Sequence, residues 1–198
     1  MGARNGKMNL AAYYNPTGHH VASWRHPRAV KDAHINIKHY VEIAQTAERA
    51  KFDLLFLADG NAVRKAHIDA ISRSTQFVAH FEPLTLLSAL AMVTEHIGLV
   101  GTASSSWNAP YHIARKFASL DHISGGRAAW NVVTSGNDAE SQNFGVDHAY
   151  AHADRYDRAH EVVDIVKGLW DSFDDDAFVR DTESGLFFEP DAMHELNH

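Results

Sequence analysis

Cysteine is missing from all 198 residues. Its absence rules out a disulfide framework, a thiolate nucleophile and a thiolate metal site, and it suits a reducing compartment. Basic charge is also scarce: 18 lysines and arginines against 25 aspartates and glutamates leave a formal net charge of −7. With no basic cluster along the chain, neither a nucleic-acid surface nor docking on an anionic membrane is expected. Residues 1–9 hold no apolar run of the kind a secretory signal requires, and no segment approaches the length of a membrane span. No Gly-x-Gly-x-x-Gly follows the first apolar run and no Gly-Lys-Ser/Thr loop occurs, so the dinucleotide and P-loop readings lose their main support. Fifteen histidines are present, but without a His-Glu-x-x-His or comparable ligand set, and no metal is expected. The expectation left standing is a cytoplasmic protein that acts on a small molecule.

What is present is a hydrophobic content of 45%, ordinary for a globular chain, in a length that suits one domain with a sizeable core. Residues 8–13 form a short apolar run that ends in Asn15-Pro16-Thr17-Gly18, a strand entering a turn. Ile37, Tyr40, Val41, Ala44 and Ala47 recur at helical spacing across 34–50, and 53–58 is a second apolar strand. Pro83 opens a helix carrying Leu84, Leu87, Leu90 and Ala91; 97–103 gives a third strand, ending in Ser104-Ser105-Ser106. Pro110 opens the next helix, with Ile113, Phe117 and Leu120 on one face. Ser124-Gly125-Gly126 stops it, because glycine supplies the left-handed geometry a helix end needs. The strand at 127–133 then reads as buried on both faces, and 152–170 as a helix with Tyr156, Ala159, Val163, Val166 and Trp170 inward. Residues 171–198 are acidic and carry no helical or strand period, so a loop or frayed tail is expected. Four βα units in succession are compatible with an open doubly wound sheet or with part of a (β/α)8 barrel.

In both architectures ligands gather where strands stop, and polar residues recur there: Asp59 after the second strand, Thr102 and Ser104 at the third, Asn131 and Ser135 at the fourth. Each also has a plain alternative. Asp59 could form a turn with Gly60, Thr102 and Ser104 could be strand-end hydroxyls, and the Asn131 amide could be satisfied by an internal hydrogen bond. His152 and Tyr156 stand four apart on the first turns of a helix, where free N–H groups favour an anion such as phosphate; the alternative is that Tyr156 packs inward and His152 merely caps. Arg25, Arg115 and Arg127 are expected to pair with the carboxylate excess.

Several segments together resemble the flavin-dependent monooxygenases of the nitrilotriacetate, dibenzothiophene-sulfone and long-chain-alkane type, a branch of the bacterial luciferase-like barrels. They are Gly18-His19-His20, Ser23-Trp24-Arg25-His26-Pro27, Leu57-Ala58-Asp59-Gly60, Ile97-Gly98-Leu99 through Thr102, and Ala109-Pro110-Tyr111-His112-Ile113-Ala114-Arg115. The block Ser119-Leu120-Asp121-His122-Ile123-Ser124-Gly125-Gly126-Arg127 with Trp130-Asn131-Val132-Val133-Thr134-Ser135 carries most of the likeness, and 152–156 extends it. The resemblance implies a (β/α)8 barrel that takes reduced FMN from a separate NAD(P)H:flavin reductase and uses dioxygen to oxygenate a small organic substrate. It implies flavin contacts from Asp59, Thr102, Ser104, Asn131, Ser135, His152 and Tyr156, and a catalytic, substrate-side role for His20 in the loop after the first strand. A barrel takes about 250 residues, so the likeness covers an N-terminal half, spanning 1–198. Either a homo-oligomer or a C-terminal half-barrel partner is then expected, or the chain is a fragment. Two other readings stay open: a non-catalytic half barrel, and a deazaflavin-dependent oxidoreductase of the same superfamily.

Overall fold

The computed structural model describes residues 8–63, 66–75 and 78–198; residues 1–7 of the segment searched above for a signal lie outside the described residues. Four parallel strands lie side by side in chain order: β1 (Ala11–Tyr13), β2 (Leu54–Leu57), β3 (Gly98–Ser104) and β4 (Ala128–Val133). Parallel neighbours need crossovers, and α1 (Ile37–Arg49), α3 (Pro83–Ala91) and α4 (Pro110–Ser124) supply them. The short α2 (Ile68–Ile71) lies in the loop before α3, while α5 (Asp138–Asn143) and α6 (His152–Trp170) follow β4. This is the first half of a (β/α)8 barrel. Among the described residues no helix is long and apolar enough to cross a membrane.

The helices start and stop where local chemistry dictates. Asn36 caps α1 by accepting from the N–H groups of Lys38 and His39. Glu82 caps α3 with both oxygens, from Leu84 N at 3.0 Å and Thr85 N at 2.8 Å, and Pro83 fills the first helical position. Gly125 takes φ 68° and lets Gly126 N reach Asp121 O at 2.9 Å, closing α4. The core lies between the helices and one face of the sheet, with Leu87, Leu90, Leu99 and Val166 wholly enclosed. Gly101 permits this approach: a Cβ there would stand 3.2 Å from Leu87 Cδ1 and 3.3 Å from Leu84 Cδ2.

Three expectations need correction. β4 is not buried on both faces; Ala129 and Val132 are exposed, because β4 is an edge strand with β3 as its one neighbour among the described residues. On α6 the enclosed positions are Ala159, Val162 and Val166. Tyr156 and Trp170 are half exposed, as large rings with a polar end often are; Tyr156 lies against His152, and the Trp170 indole donates to Ala114 O at 3.0 Å. Arg25, Arg115 and Arg127 form no ion pair with a carboxylate of the described residues, whose pairs use histidine; Arg127 instead bonds carbonyls and one hydroxyl. Of the two alternatives for residues 171–198, a loop or a frayed tail, the chain takes the loop. Phe173 bridges Met193, His194 N donates to Ser172 O at 2.8 Å, and Phe173, Phe178, Phe187 and Phe188 cluster around the turn.

Candidate functional site

Side chains alternate along a strand, so Gly101 and Ala103 face the helices while Thr102 and Ser104 face the other side, the lumen of the half barrel. Asn131 pairs in register with Thr102 and shares that side. Its Nδ2 donates to Thr102 Oγ1 at 2.9 Å, and Thr102 Oγ1 donates to Leu57 O at 2.8 Å, a chain that crosses β4, β3 and β2. The internal bond weighed as the plain alternative for Asn131 is therefore made by its amide nitrogen. Among the described residues its Oδ1 receives no hydrogen bond.

A second chain lies past the strand ends. Ser135 Oγ stands 2.8 Å from both Ser104 Oγ and Glu140 Oε2. Both are acceptors within reach of the Ser135 hydroxyl, whose single proton they share, and Ser104 Oγ also accepts from Ser106 N at 3.2 Å. Glu140 also receives the backbone N–H and the Nδ2 of Asn61, each at 3.4 Å, and Asn143 Nδ2 donates to Asn61 O at 2.7 Å. These bonds latch α5 onto the loop after β2.

The polar chains border a cavity of about 540 Å³, lined among others by Asp59, Thr102, Ser104, Ser135, Gly136 and Glu140. Apolar Leu84, Ile113 and Val133 supply the rest of the wall, and Lys116 reaches it from α4. Asp59 Oδ1 lies 2.8 Å from His80 Nε2, with both side chains largely covered. His80 itself lines a smaller cavity of about 50 Å³, together with Tyr14, Tyr40 and His34. Burial pushes the Tyr40 phenol up to about 12; burial also raises Tyr14, with the charges of Tyr40 and Glu42 adding to it, so both stay neutral.

Four of the eight residues singled out from the sequence thus share one cavity: Asp59, Thr102, Ser104 and Ser135. Asn131 joins them through Thr102. His152 and Tyr156 do not line the cavity; they are exposed on the first turns of α6, ring centroids 4.7 Å apart. That helix is nevertheless tied to the rim, since Arg155 Nη1 donates to Thr134 O at 3.2 Å and Arg158 Nε to Ser105 O at 3.1 Å. His20 lies apart on the exposed loop after β1, its Nδ1 accepting from Ala22 N at 3.1 Å. Among the described residues no cluster of three metal-ligating side chains occurs.

Sequence reasoning missed His80 and Glu140. For Glu140 a signal existed: Asn137-Asp138-Ala139-Glu140 has the spacing of a capping box and announces α5, with Asn137 capping Ala139 N at 2.9 Å. The glutamate turns to Ser135 rather than back to the helix start. For His80 no local pattern exists.

The family model described as luciferase-like monooxygenase matches residues 17–191, nearly the whole chain. The chain belongs to the luciferase-like monooxygenase family. Within it, N-acetyl-S-(2-succino)cysteine monooxygenase of Bacillus subtilis (strain 168) is 52% identical over 199 residues, covering 100% of this chain and 44% of its own. Nitrilotriacetate monooxygenase component A of Aminobacter aminovorans is 48% identical, covering 100% and 45%. Among solved structures, a long-chain alkane monooxygenase superimposes with TM-score 0.90 at 36% identity, over 98% of this family member and 46% of that chain. A riboflavin lyase with modified FMN and the substrate riboflavin gives 0.88 at 34%, over 97% and 44%. The chain spans about half the length of the curated relatives it matches.

Proposed function

We propose that this chain forms the N-terminal half of an FMN-dependent monooxygenase, which receives reduced FMN from a separate NAD(P)H:flavin reductase and uses dioxygen to oxygenate a small organic substrate. The observation that carries the reading is the pair of hydrogen-bonded chains, Asn131–Thr102 and Ser104–Ser135–Glu140, bordering one cavity at the carboxyl ends of β3 and β4. The cavity, about 540 Å³, falls in the size range of small-ligand sites. Its wall combines apolar surface with a few directed polar groups, as a flat heteroaromatic ring with a polar edge requires. Monooxygenase relatives and a flavin-containing structural neighbour support the assignment, and the printed name "component A" supports a two-component system.

On this reading the flavin, when bound, supplies the oxygen chemistry, and the protein binds, orients and keeps out water. The Asn131 amide, fixed by Thr102, presents its free Oδ1 as an acceptor for a ring N–H, while Ser104, Ser135 and Asp59 hold the surrounding polar wall. α6 begins at His152 after Ala151, which provides no side-chain cap, so its first N–H groups remain available to a phosphate, beside His152 and Tyr156. His20 belongs to the substrate side. The test is a barrel completed by fusing this chain to a C-terminal half from the same branch, supplied with a flavin reductase, NADH and oxygen. Flavin-dependent appearance of an oxygenated product supports the function. A folded, flavin-loaded barrel that only transfers hydride, leaving oxygen unused, would move it to the deazaflavin type.

A further inference from the structure

We infer that His80 is a positioning residue for the flavin site, acting through Asp59; the inference rests on the flavin reading above. Asp59 and His80 are 21 residues apart and meet at 2.8 Å, Oδ1 to Nε2. The pair forms a partition: Asp59 faces the large cavity, His80 the small one. The adjoining chain repeats the division, with Leu57 and Ala58 on the small cavity and Asp59 on the large, and with Phe81 on the small cavity and Glu82 on the large.

His80 is held by its neighbours rather than left to find its place. The Phe81 ring meets Tyr40 edge-on at 5.7 Å, and Glu82 is fixed as the cap of α3 by two backbone N–H groups. A histidine on so constrained a segment anchors one oxygen of a carboxylate that follows β2 in a loop. Anchoring limits the rotation of Asp59 and leaves its remaining acceptor capacity directed at whatever occupies the large cavity. An unanchored aspartate would lose rotamer freedom each time a ligand bound, so the anchor moves that entropy cost from binding to folding. On this inference His80 acts through Asp59 and not by contact with flavin or substrate.

The test combines chemical-shift titration of the chain with FMN, up to millimolar concentration, and a double-mutant cycle over His80→Leu and Asp59→Asn. His80→Leu is expected to raise the FMN dissociation constant about five- to tenfold, as loss of one such hydrogen bond does. His80→Gln, which keeps an N–H donor, restores binding to within about twofold of the parent. In the Asp59→Asn background the effect of His80→Leu on FMN binding is expected to fall to within about twofold, because the inferred action on the flavin passes through the carboxylate. A parent that binds FMN and an H80L variant that binds it equally well overturn the positioning role alone. Additive losses in the cycle do the same. No FMN-dependent shift in the parent overturns this inference, while the flavin reading stands or falls with the completed barrel. Should H80L fail to fold, imidazole proton–nitrogen correlation spectra of the parent and D59N decide. A slowly exchanging Nε2 proton on His80 that disappears in D59N upholds the pairing, and its absence from the parent refutes it.

Discussion

Arg127 directs all five of its guanidinium N–H bonds into the amino end of the sheet. Nε donates to Ser124 O at 2.7 Å, Nη1 to Thr94 Oγ1 and Ile97 O, and Nη2 to Ala91 O and Thr94 O. It ties the end of α3 and the start of β3 to β4. Lysine has three donors and no planar fork, so Arg127→Lys is expected to lower stability by about 2–4 kcal/mol in denaturant unfolding. At the other end of the sheet Asn131 and His20 are expected to behave differently in a completed barrel. Asn131→Ala removes the Thr102 contact and the free amide acceptor, and should weaken flavin retention by about 1–3 kcal/mol. His20, in an exposed loop, should when changed to alanine leave flavin retention alone, lower product yield and release more hydrogen peroxide. Loss of flavin from His20→Ala with oxygen still coupled to product would reverse the two assignments.

At the scale of elements, Glu48 near the end of α1 links that helix to the entry of β3. Its Oε1 accepts from the backbone N–H groups of Glu95, His96 and Ile97 at 2.9, 2.7 and 3.0 Å. Burial raises this carboxyl, but the three N–H groups and the charge of His96 outweigh it and hold the group below the ordinary glutamate value. A group depressed in the folded state contributes stability above its unfolded pKa, and that contribution fades as pH falls through the folded one. Glu48→Ala is therefore expected to cost about 1–2 kcal/mol at neutral pH. The difference from the parent should shrink as the medium is acidified below the ordinary glutamate range; unfolding midpoints in urea across that range measure it. β3 offers a steric counterpart. Gly101→Val would place a branched side chain where Leu84 and Leu87 already stand, and overpacking of this kind costs about 1–3 kcal/mol.

For the whole molecule, β1 and β4 each have a single neighbour among the described residues, and apolar side chains lie open along both. Tyr13 is 50% exposed and Val132 40%. Unpaired edges invite association, so the chain is expected to self-associate as concentration rises, and Val132→Lys to reduce this in light scattering. Only four units frame the cavity, so flavin binding by the 198-residue chain should be weak. Fluorescence titration that returned a submicromolar dissociation constant would mean that four units suffice to hold the flavin.

The succession of four βα units, the helix start at Pro83 and stop at Gly125, and the placing of polar residues after apolar strands were all determined by the sequence alone. Each depends on local period, on a cap or on backbone restriction, all of which act within a few residues. Only tertiary structure decided the partners of those polar residues. Ser135 finds Ser104 31 positions away, and Asn61 finds Glu140 79 away; no period records such pairings. The exposure of β4 likewise depends on whether a neighbour lies beside it, which its six residues cannot specify. Local propensity selects the elements, but what a side chain touches is decided by how the packed layers bring distant segments together, and the site is built from those long-range contacts.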